Sequence, residues 1–152
     1  MRPPSSRRSG CPPFWFLLAV LAQFALAWKA GATETPIILT LLGSALLLGG
    51  IALVLAAAQR FRKWRTPILP FQQPTHCITD GVFRHSRNPL YLGEVLMLLG
   101  LAALLGTGWA LLPVPVFVAA IQVIFILPEE RILRKTFGSP YRRYCRQTRQ
   151  WV

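Results

Sequence analysis

The chain has few acidic residues, few cysteines and few histidines. Only 5 of its 152 residues are Asp or Glu, against 17 Lys and Arg, so its formal net charge is +12 at pH 7. Cys11, Cys77 and Cys145 are odd in number and far apart, and no Cys-x-x-Cys or Cys/His ligand spacing occurs. Neither a disulfide framework nor a metal site is therefore predicted.

The excess of basic residues indicates that the chain binds something anionic. A strongly basic chain can be a nucleic-acid-binding protein. In this chain, however, the basic residues flank long apolar runs and do not form a folded basic face, so no nucleic-acid binding is expected. Anionic headgroups of membrane lipids are the simpler partner for this charge.

Apolar residues make up 53% of the chain and are concentrated in runs with almost no charge. Each run approaches the length of about 20 residues that a membrane-spanning helix needs. We predict an all-α, polytopic membrane protein with about four transmembrane helices and short amphipathic helices near the C-terminus. The predicted segments are a disordered basic tail at 1–13 and a single membrane domain at 14–152, with helices at about 14–31, 37–58, 89–105 and 109–127.

Two of these runs carry further information. The basic start, apolar middle and small residues Ala30-Gly31-Ala32 of the first run are also typical of a cleaved signal peptide, so retention of this helix stays open. The second run contains Gly43-Ser44-Ala45 and Gly49-Gly50, small residues that let another helix pack closely.

The basic residues also predict the orientation in the membrane. Sixteen of the 17 lie in the N-terminal tail, in the long connection before residue 89 or after residue 127, and Lys29 alone falls on the other side. The positive-inside rule therefore places both termini in the cytoplasm. The expected location is a bacterial inner membrane.

Polar chemistry is concentrated where the long connection enters the third helix, in the run Gly81-Val82-Phe83-Arg84-His85-Ser86-Arg87-Asn88-Pro89-Leu90-Tyr91-Leu92-Gly93. Pro89 suits the first helical turn, and Asn88 suits the N-cap, where its side-chain oxygen accepts a bond from an early helical N–H. Free N–H donors and the positive end of the helix dipole therefore lie beside several basic side chains. The simpler interpretation is a basic flank of a transmembrane helix.

Two acids are expected beside this helix start. Because Gly106-Thr107-Gly108 leaves only a short turn, the third and fourth helices are antiparallel neighbours, and Glu129-Glu130 comes to the membrane level of Pro89 and Tyr91. A cytoplasmic pocket lined by Tyr91 and two acids is predicted. In the alternative, the two acids only begin a helix and pair with basic residues one turn later.

Three other polar residues are candidates for a site. Glu94 lies about one turn inside the third helix, where an acid is functional by default, although it is shallow enough to pair with an arginine. His76 and His85 lie in the loop, and a loop histidine is more often structural or solvated than a base.

These segments resemble the isoprenylcysteine carboxyl methyltransferase family, which is related to the membrane phospholipid methyltransferases. The resemblance begins with the segment His76-Cys77-Ile78-Thr79-Asp80-Gly81-Val82-Phe83 and continues with Arg87-Asn88-Pro89-Leu90-Tyr91-Leu92-Gly93. After a helical hairpin it includes Glu129-Glu130, then Phe137-Gly138 followed by Tyr141 and Tyr144. The similarity covers residues 76–151, about half of the chain. Two motifs at the expected separation, on one membrane face, form a specific signal.

The resemblance implies an S-adenosylmethionine-dependent methyltransferase whose C-terminal half binds the cofactor. The acceptor it implies is lipophilic: an isoprenylcysteine-like carboxylate, a thiol or a phospholipid amine. Glu129 would hold the cationic groups of the cofactor. The full set of implied cofactor contacts is His76, Cys77, Ile78, Phe83, Asn88, Pro89, Leu90, Tyr91 and Glu129.

The sequence departs from the family pattern at three places. Phe83 stands where many members have Tyr, which removes a hydroxyl, and Asn88 stands where eukaryotic members have His. Phe125 stands where eukaryotic isoprenylcysteine enzymes have an Arg thought to meet the substrate, and this departure bears on the acceptor. An amine acceptor must lose a proton before transfer, and Glu94, Glu130 and His85 are then candidate bases. The acceptor and the oligomeric state stay open.

Two other functions remain as alternatives. Membrane sterol reductases, which use NADPH, resemble this family in their C-terminal half but are much longer. A small membrane scaffold without chemistry is the second alternative. Binding of a cofactor separates the three functions.

Overall fold

The computed structural model describes residues 12–31, 34–66 and 76–152, and these ranges contain helices and no strand. The prediction of an all-α protein is confirmed. Most of the predicted basic tail, part of the possible cleavage site and the middle of the long connection lie outside the described residues. The α-helices are α1 (Pro12–Ala30), α2 (Ile37–Lys63), α3 (Pro89–Leu104), α4 (Pro113–Ile121), α5 (Leu127–Phe137) and α6 (Ser139–Gln147).

Three helical segments are long and apolar enough to cross a membrane: Pro12–Ala30, Ile37–Lys63 and Gly108–Phe137. The fourth candidate, α3, has 16 residues. At 1.5 Å per residue it is about 24 Å long, less than the hydrocarbon thickness of about 30 Å. The prediction of four spans is thus confirmed for three helices only.

The helix that follows α3 is longer than predicted. We expected it to end at Leu127, with Pro128 separating it from an amphipathic helix. Instead α4 passes through a π-helical turn, Gln122–Ile126, directly into α5. In that turn the N–H of Leu127 donates to the oxygen of Gln122. Pro128, which lacks an N–H, is accommodated in the first turn of α5 and does not break the helix.

The second helix is also longer than predicted and ends at Lys63, not near Ala58. Its last turn carries Arg60, Arg62 and Lys63. Cations near a helix C-terminus interact favourably with the dipole, so these residues extend the helix out of the apolar run.

The closest helix contact joins α2 and α3 along a glycine seam formed by Gly43, Gly50, Gly93 and Gly100. A Cβ atom at Gly50 would lie 2.6 Å from the Gly93 oxygen, and one at Gly100 would lie 2.6 Å from the Gly43 oxygen. Only glycine permits this approach. Close packing was predicted for Gly43 and Gly50 and is confirmed, whereas a Cβ at Gly49 would meet no described atom within 4 Å.

The first helix is joined to the bundle by a polar side chain. Gln23 is fully buried, and its Nε2 donates to the backbone oxygens of Leu98 and Ala110, each at 2.9 Å. The surrounding core contains Ala19, Tyr91, Leu98, Val114, Phe117, Ile121, Phe125 and Ile126. The core thus lies between α1, α3 and α4 and extends to the start of α3.

Candidate functional site

At the start of α3, Pro89 and Asn88 occupy the predicted positions, but the Asn88 side chain makes a different hydrogen bond from the one predicted. Pro89 is the first residue of α3, and Asn88 occupies the N-cap position. The predicted capping bond is wrong, because the side chain of Asn88 makes no cap bond within the described residues. Its Nδ2 donates to the backbone oxygen of Gln150 at 3.0 Å, and the Asn88 N–H donates to Ser86 Oγ at 3.1 Å. A carbonyl from the C-terminal end of the chain therefore holds this side chain.

The predicted meeting of α3 with the two acids is confirmed at Tyr91. Its hydroxyl donates to Glu129 Oε1 at 3.0 Å, and only 6% of the side chain is exposed. The Tyr91 ring also lies 6.4 Å from the ring of Phe125, which is fully buried. Phe125, one helical turn before Glu129, therefore presents an apolar wall to the tyrosine.

The adjacent acid, Glu130, is enclosed by hydrogen-bond donors. Its carboxylate lies 3.0 Å from Arg87 Nη2 and 3.4 Å from Arg134 Nη2, and it accepts a bond from Gln150 Nε2 at 3.1 Å. Glu130 and Arg87 are both largely buried. The pairing with a basic residue one turn later was an alternative from the sequence, and it occurs together with the long-range pair to Arg87.

Glu94 is buried on the same side of α3 as Tyr91 and Leu98, three residues after the first and four before the second. Its Oε2 has no hydrogen-bond partner in the described part of the chain. The alternative of pairing with a nearby arginine is therefore not found among those residues.

The loop residues predicted to touch a cofactor fall into two environments. Ile78 and Phe83 are buried against Ala57 of α2, and the Phe83 ring meets Phe61 edge to face with 5.6 Å between centroids. His76 is exposed, and its ring lies 5.5 Å from that of Trp64. Cys77 is half-buried, Pro89 is fully buried, Leu90 is partly buried and His85 is exposed.

Two groups near this loop, the half-buried Cys77 and the buried Tyr144, stay protonated at neutral pH. Burial raises the pKa of the Cys77 thiol, and the neighbouring Cys145 adds to the effect. Burial likewise raises the pKa of Tyr144, whose hydroxyl donates to the Phe83 oxygen at 2.6 Å. Because the thiolate is the nucleophilic form, Cys77 is suited to packing and not to nucleophilic chemistry.

An ion-pair cluster holds the start of the loop against the end of α2. Asp80 accepts bonds from Arg60 at 2.9 Å and from Trp64 Nε1 at 3.1 Å, and Lys63 lies 3.8 Å away. Slight burial acts to raise the pKa of Asp80. The Trp64 bond and the two cations outweigh it and hold the pKa below its usual range.

Sequence reasoning missed the contribution of the residues that follow α6. The N–H of Arg87 donates to the Arg149 oxygen at 3.0 Å. Gln122 Nε2 donates to Gln150 Oε1 at 3.1 Å, and Trp151 Nε1 donates to Gln122 Oε1 at the same distance. One signal could have revealed Gln122, because it is the single non-aromatic polar residue between residues 108 and 128.

The site lies in a part of the chain, residues 12–31, 34–66 and 76–152, that contains no group of three metal-ligating side chains. It combines a helix N-terminus, a tyrosine hydroxyl and two acids of different surroundings at one end of the bundle. The acids suit a cationic part of a ligand, and the helix N-terminus suits an anionic part.

Comparison with known proteins identifies the family. The phospholipid methyltransferase model matches residues 38–140, which include the start of α3 and both acids. A Haemophilus influenzae protein described as uncharacterized is 38% identical over 63 residues, which is 41% of this chain and 100% of that protein. No solved structure matches. Because the family model covers more than half of the chain, the protein belongs to the phospholipid methyltransferase family of membrane methyltransferases.

Proposed function

We propose that the protein transfers a methyl group from S-adenosylmethionine to a lipophilic acceptor at the cytoplasmic face of a bacterial inner membrane, with both termini in the cytoplasm. The family supports methyl transfer, and the basic charge supports the orientation. The observation that carries the cofactor assignment is the contact of Tyr91 with Glu129 at the start of α3.

The two adjacent acids differ in their surroundings, and this difference supports a cationic ligand. Glu130 is compensated by Arg87 and Arg134. Glu129 makes no ion pair with any described residue, and its one described side-chain partner is the neutral hydroxyl of Tyr91. Glu129 is partly buried, and a carboxylate that is partly removed from water normally has a cationic partner. The sulfonium and ammonium groups of the cofactor match that requirement.

The remaining residues around Glu129 fit the same ligand. Tyr91 orients the Glu129 carboxylate through its hydrogen bond. Asn88 and the N–H groups at the start of α3 provide polar contacts, and the positive end of the helix dipole there favours the carboxylate of the cofactor, while Glu129 suits its cationic groups. S-adenosylmethionine would supply an electrophilic methyl group on a sulfonium sulfur. Positioning of the two reactants by these residues can account for about 7–11 kcal/mol of the barrier.

Among the three candidate bases, the surroundings favour Glu94. Glu130 is engaged by two arginines and a glutamine, and His85 lies exposed on the loop. Glu94 is buried on the Tyr91 side of α3 with one oxygen unpaired among the described residues. An acceptor that must lose a proton, such as an amine, would give it to Glu94.

The test is calorimetric binding of S-adenosylmethionine, and separately of NADPH, to the detergent-purified protein. Glu129→Gln should weaken S-adenosylmethionine binding at least tenfold, about 1.4 kcal/mol, with little change in thermal unfolding. Glu34→Gln is the matched control, because Glu34 is an exposed acid in the loop between α1 and α2. Binding of NADPH in place of S-adenosylmethionine would contradict the proposal, and so would undiminished binding by a folded Glu129→Gln variant.

A further inference from the structure

The last residues of the chain lie across the start of α3. We name Thr148–Trp151 the C-terminal segment. It leaves α6 in an extended conformation, with φ −128° and ψ 131° at Thr148. The Gln150 oxygen accepts bonds from Asn88 Nδ2 at 3.0 Å and from Ser86 Oγ at 3.4 Å, and the Arg149 oxygen accepts one from the Arg87 N–H at 3.0 Å. The segment thus fixes the three residues before α3.

The side chain of Gln150 joins two further parts of the bundle. Its Oε1 accepts a bond from Gln122 Nε2, and its Nε2 donates to Glu130 Oε1, both at 3.1 Å. Glu130 Oε1 is the atom that Arg87 contacts at 3.0 Å. One glutamine therefore connects the π-helical turn, α5 and the loop before α3.

The neighbouring residue attaches the C-terminal segment at a second point. Trp151 Nε1 donates to Gln122 Oε1 at 3.1 Å, and the Trp151 ring packs against the core cluster that contains Tyr91. Gln122 is therefore bonded to two consecutive residues of the segment. Its position in the π-helical turn agrees with the frequent occurrence of such turns at functional sites.

We propose that Gln150 is a positioning residue of the cofactor site. Together with Arg87 and Arg134 it saturates Glu130, so that Glu129 is the acid left for a cationic ligand. Through its backbone oxygen it also fixes Asn88 at the start of α3. This inference rests on the proposed function, because it concerns the site assigned there to S-adenosylmethionine.

Removal of the Gln150 amide has a definite expected consequence. Glu130 would lose one of its three described donors, and the C-terminal segment would lose one of its two bonds to Gln122. Arg87 and Asn88 would then be held less firmly, and the cofactor would have to order them on binding. The ordering of loosely held groups lowers affinity.

The experiment measures S-adenosylmethionine affinity by calorimetry for Gln150→Met, which keeps the side-chain length and removes both side-chain hydrogen bonds. The dissociation constant should rise about tenfold. Gln147→Met is the matched control, since Gln147 is an exposed glutamine at the end of α6, and its affinity should stay within twofold of the parent. Gln122→Met should weaken binding less than Gln150→Met, because the bond to Glu130 remains.

A double variant separates positioning from a general loss of structure. If Gln150 acts through Glu130, Glu130→Gln combined with Gln150→Met should bind no more weakly than the weaker of the two single variants. Multiplied effects in the double variant would overturn the inference.

Hydrogen exchange on the unmodified protein tests the inference without any variant. Saturating S-adenosylmethionine should slow exchange in peptides that cover residues 148–152, while α1 peptides stay unchanged. Unchanged exchange in those peptides would overturn the inference even if Gln150→Met failed to fold.

The outcomes distinguish this inference from the proposed function. If the unmodified protein does not bind S-adenosylmethionine, the proposed function is wrong, and the role of Gln150 is wrong with it. If the unmodified protein binds the cofactor and a folded Gln150→Met variant binds it within twofold of the parent, the inference alone is wrong.

Discussion

The two faces of α3 are stabilised in different ways. One face carries Gly93 and Gly100 and packs against α2 so closely that neighbouring backbones leave no room for a methyl group. The other face carries Tyr91, Glu94 and Leu98 and meets α1, α4 and the C-terminal end of the chain. The first face depends on the absence of side chains, and the second depends on particular side chains.

This difference separates the parts of the molecule that hold the fold from those suited to chemistry. The glycine seam makes a close, apolar contact between α2 and α3 and presents no functional group. The opposite face gathers polar groups from residues far apart in the chain, such as Tyr91 with Glu129 and Arg87 with Glu130. A rigid contact on one side of the helix can thus position a polar site on the other.

The largest effect is expected at the buried ion pair. Arg87→Met removes one partner and leaves Glu130 with less compensation, and removing one partner of a buried pair costs about 3–5 kcal/mol. Because Arg134 and Gln150 remain, we expect the lower end of that range in detergent unfolding measurements. Arg131→Met, which changes an exposed arginine of α5, should leave the unfolding free energy nearly unchanged. Equal stability of the two variants would contradict the buried pairing.

The next effect tests the glycine seam itself. In Gly100→Ala the added Cβ would lie 2.6 Å from the Gly43 oxygen and 2.7 Å from the Leu47 nitrogen, both backbone atoms. Because overpacking costs about 1–3 kcal/mol, the unfolding free energy should fall by that amount. Gly49→Ala should leave stability unchanged or raise it, because alanine is the better helix former. If Gly100→Ala did not lower the unfolding free energy, α2 and α3 would lie farther apart than the contacts of the glycine seam indicate.

A smaller effect on the unfolding free energy is expected where α1 joins the face of α3 that carries Tyr91, Glu94 and Leu98. Gln23→Leu removes the bonds to the Leu98 and Ala110 oxygens. Hydrogen bonds between membrane helices average about 0.6 kcal/mol and reach about 1.7, so stability should fall within that interval. Gln59→Leu changes an exposed glutamine of α2 and serves as the control. If Gln23→Leu were as stable as the parent, the two hydrogen bonds of Gln23 would not be what holds α1 to the bundle.

The smallest effect is a pH dependence of stability that arises at Asp80, in the loop outside the membrane. The pKa of Asp80 lies lower in the folded protein than in the unfolded chain. The contribution of Asp80 to the unfolding free energy is therefore fully present above the ordinary Asp pKa of about 4. It is lost as the pH falls through the lower pKa that Asp80 has in the folded protein. A surface pair of this kind contributes at most about 1 kcal/mol. Trp64 fluorescence should change below about pH 4 in the parent and remain flat in Asp80→Asn.

The sequence predicts the apolar face better than the polar one, for a physical reason. Charge-free runs and paired small residues are local patterns, so the helices and the roles of Gly43 and Gly50 could be inferred. Helix ends were less accurate, because basic residues extend α2 and a π-helical turn accommodates Pro128. The end of α3 is an exception, because it was expected near residue 105 and lies at Leu104.

The polar site was predictable only where chain topology dictates proximity. The short hairpin turn places Tyr91 near Glu129, and that contact was inferred correctly. The bonds of Gln150 to Asn88, Gln122 and Glu130 join residues 20 to 62 positions apart without any local pattern. For the same reason the capping role expected of Asn88 was wrong, since the competing carbonyl comes from the end of the chain.

The most direct measurement of the central claim is ultraviolet crosslinking of radiolabelled S-adenosylmethionine to the purified protein, followed by peptide mapping. The polar face of α3 and its neighbours should carry the label, in peptides from residues 76–94 and 127–151, and excess unlabelled cofactor should abolish it. Label confined to α1 or α2, or no displaceable label at all, would contradict a cofactor site at this end of the bundle.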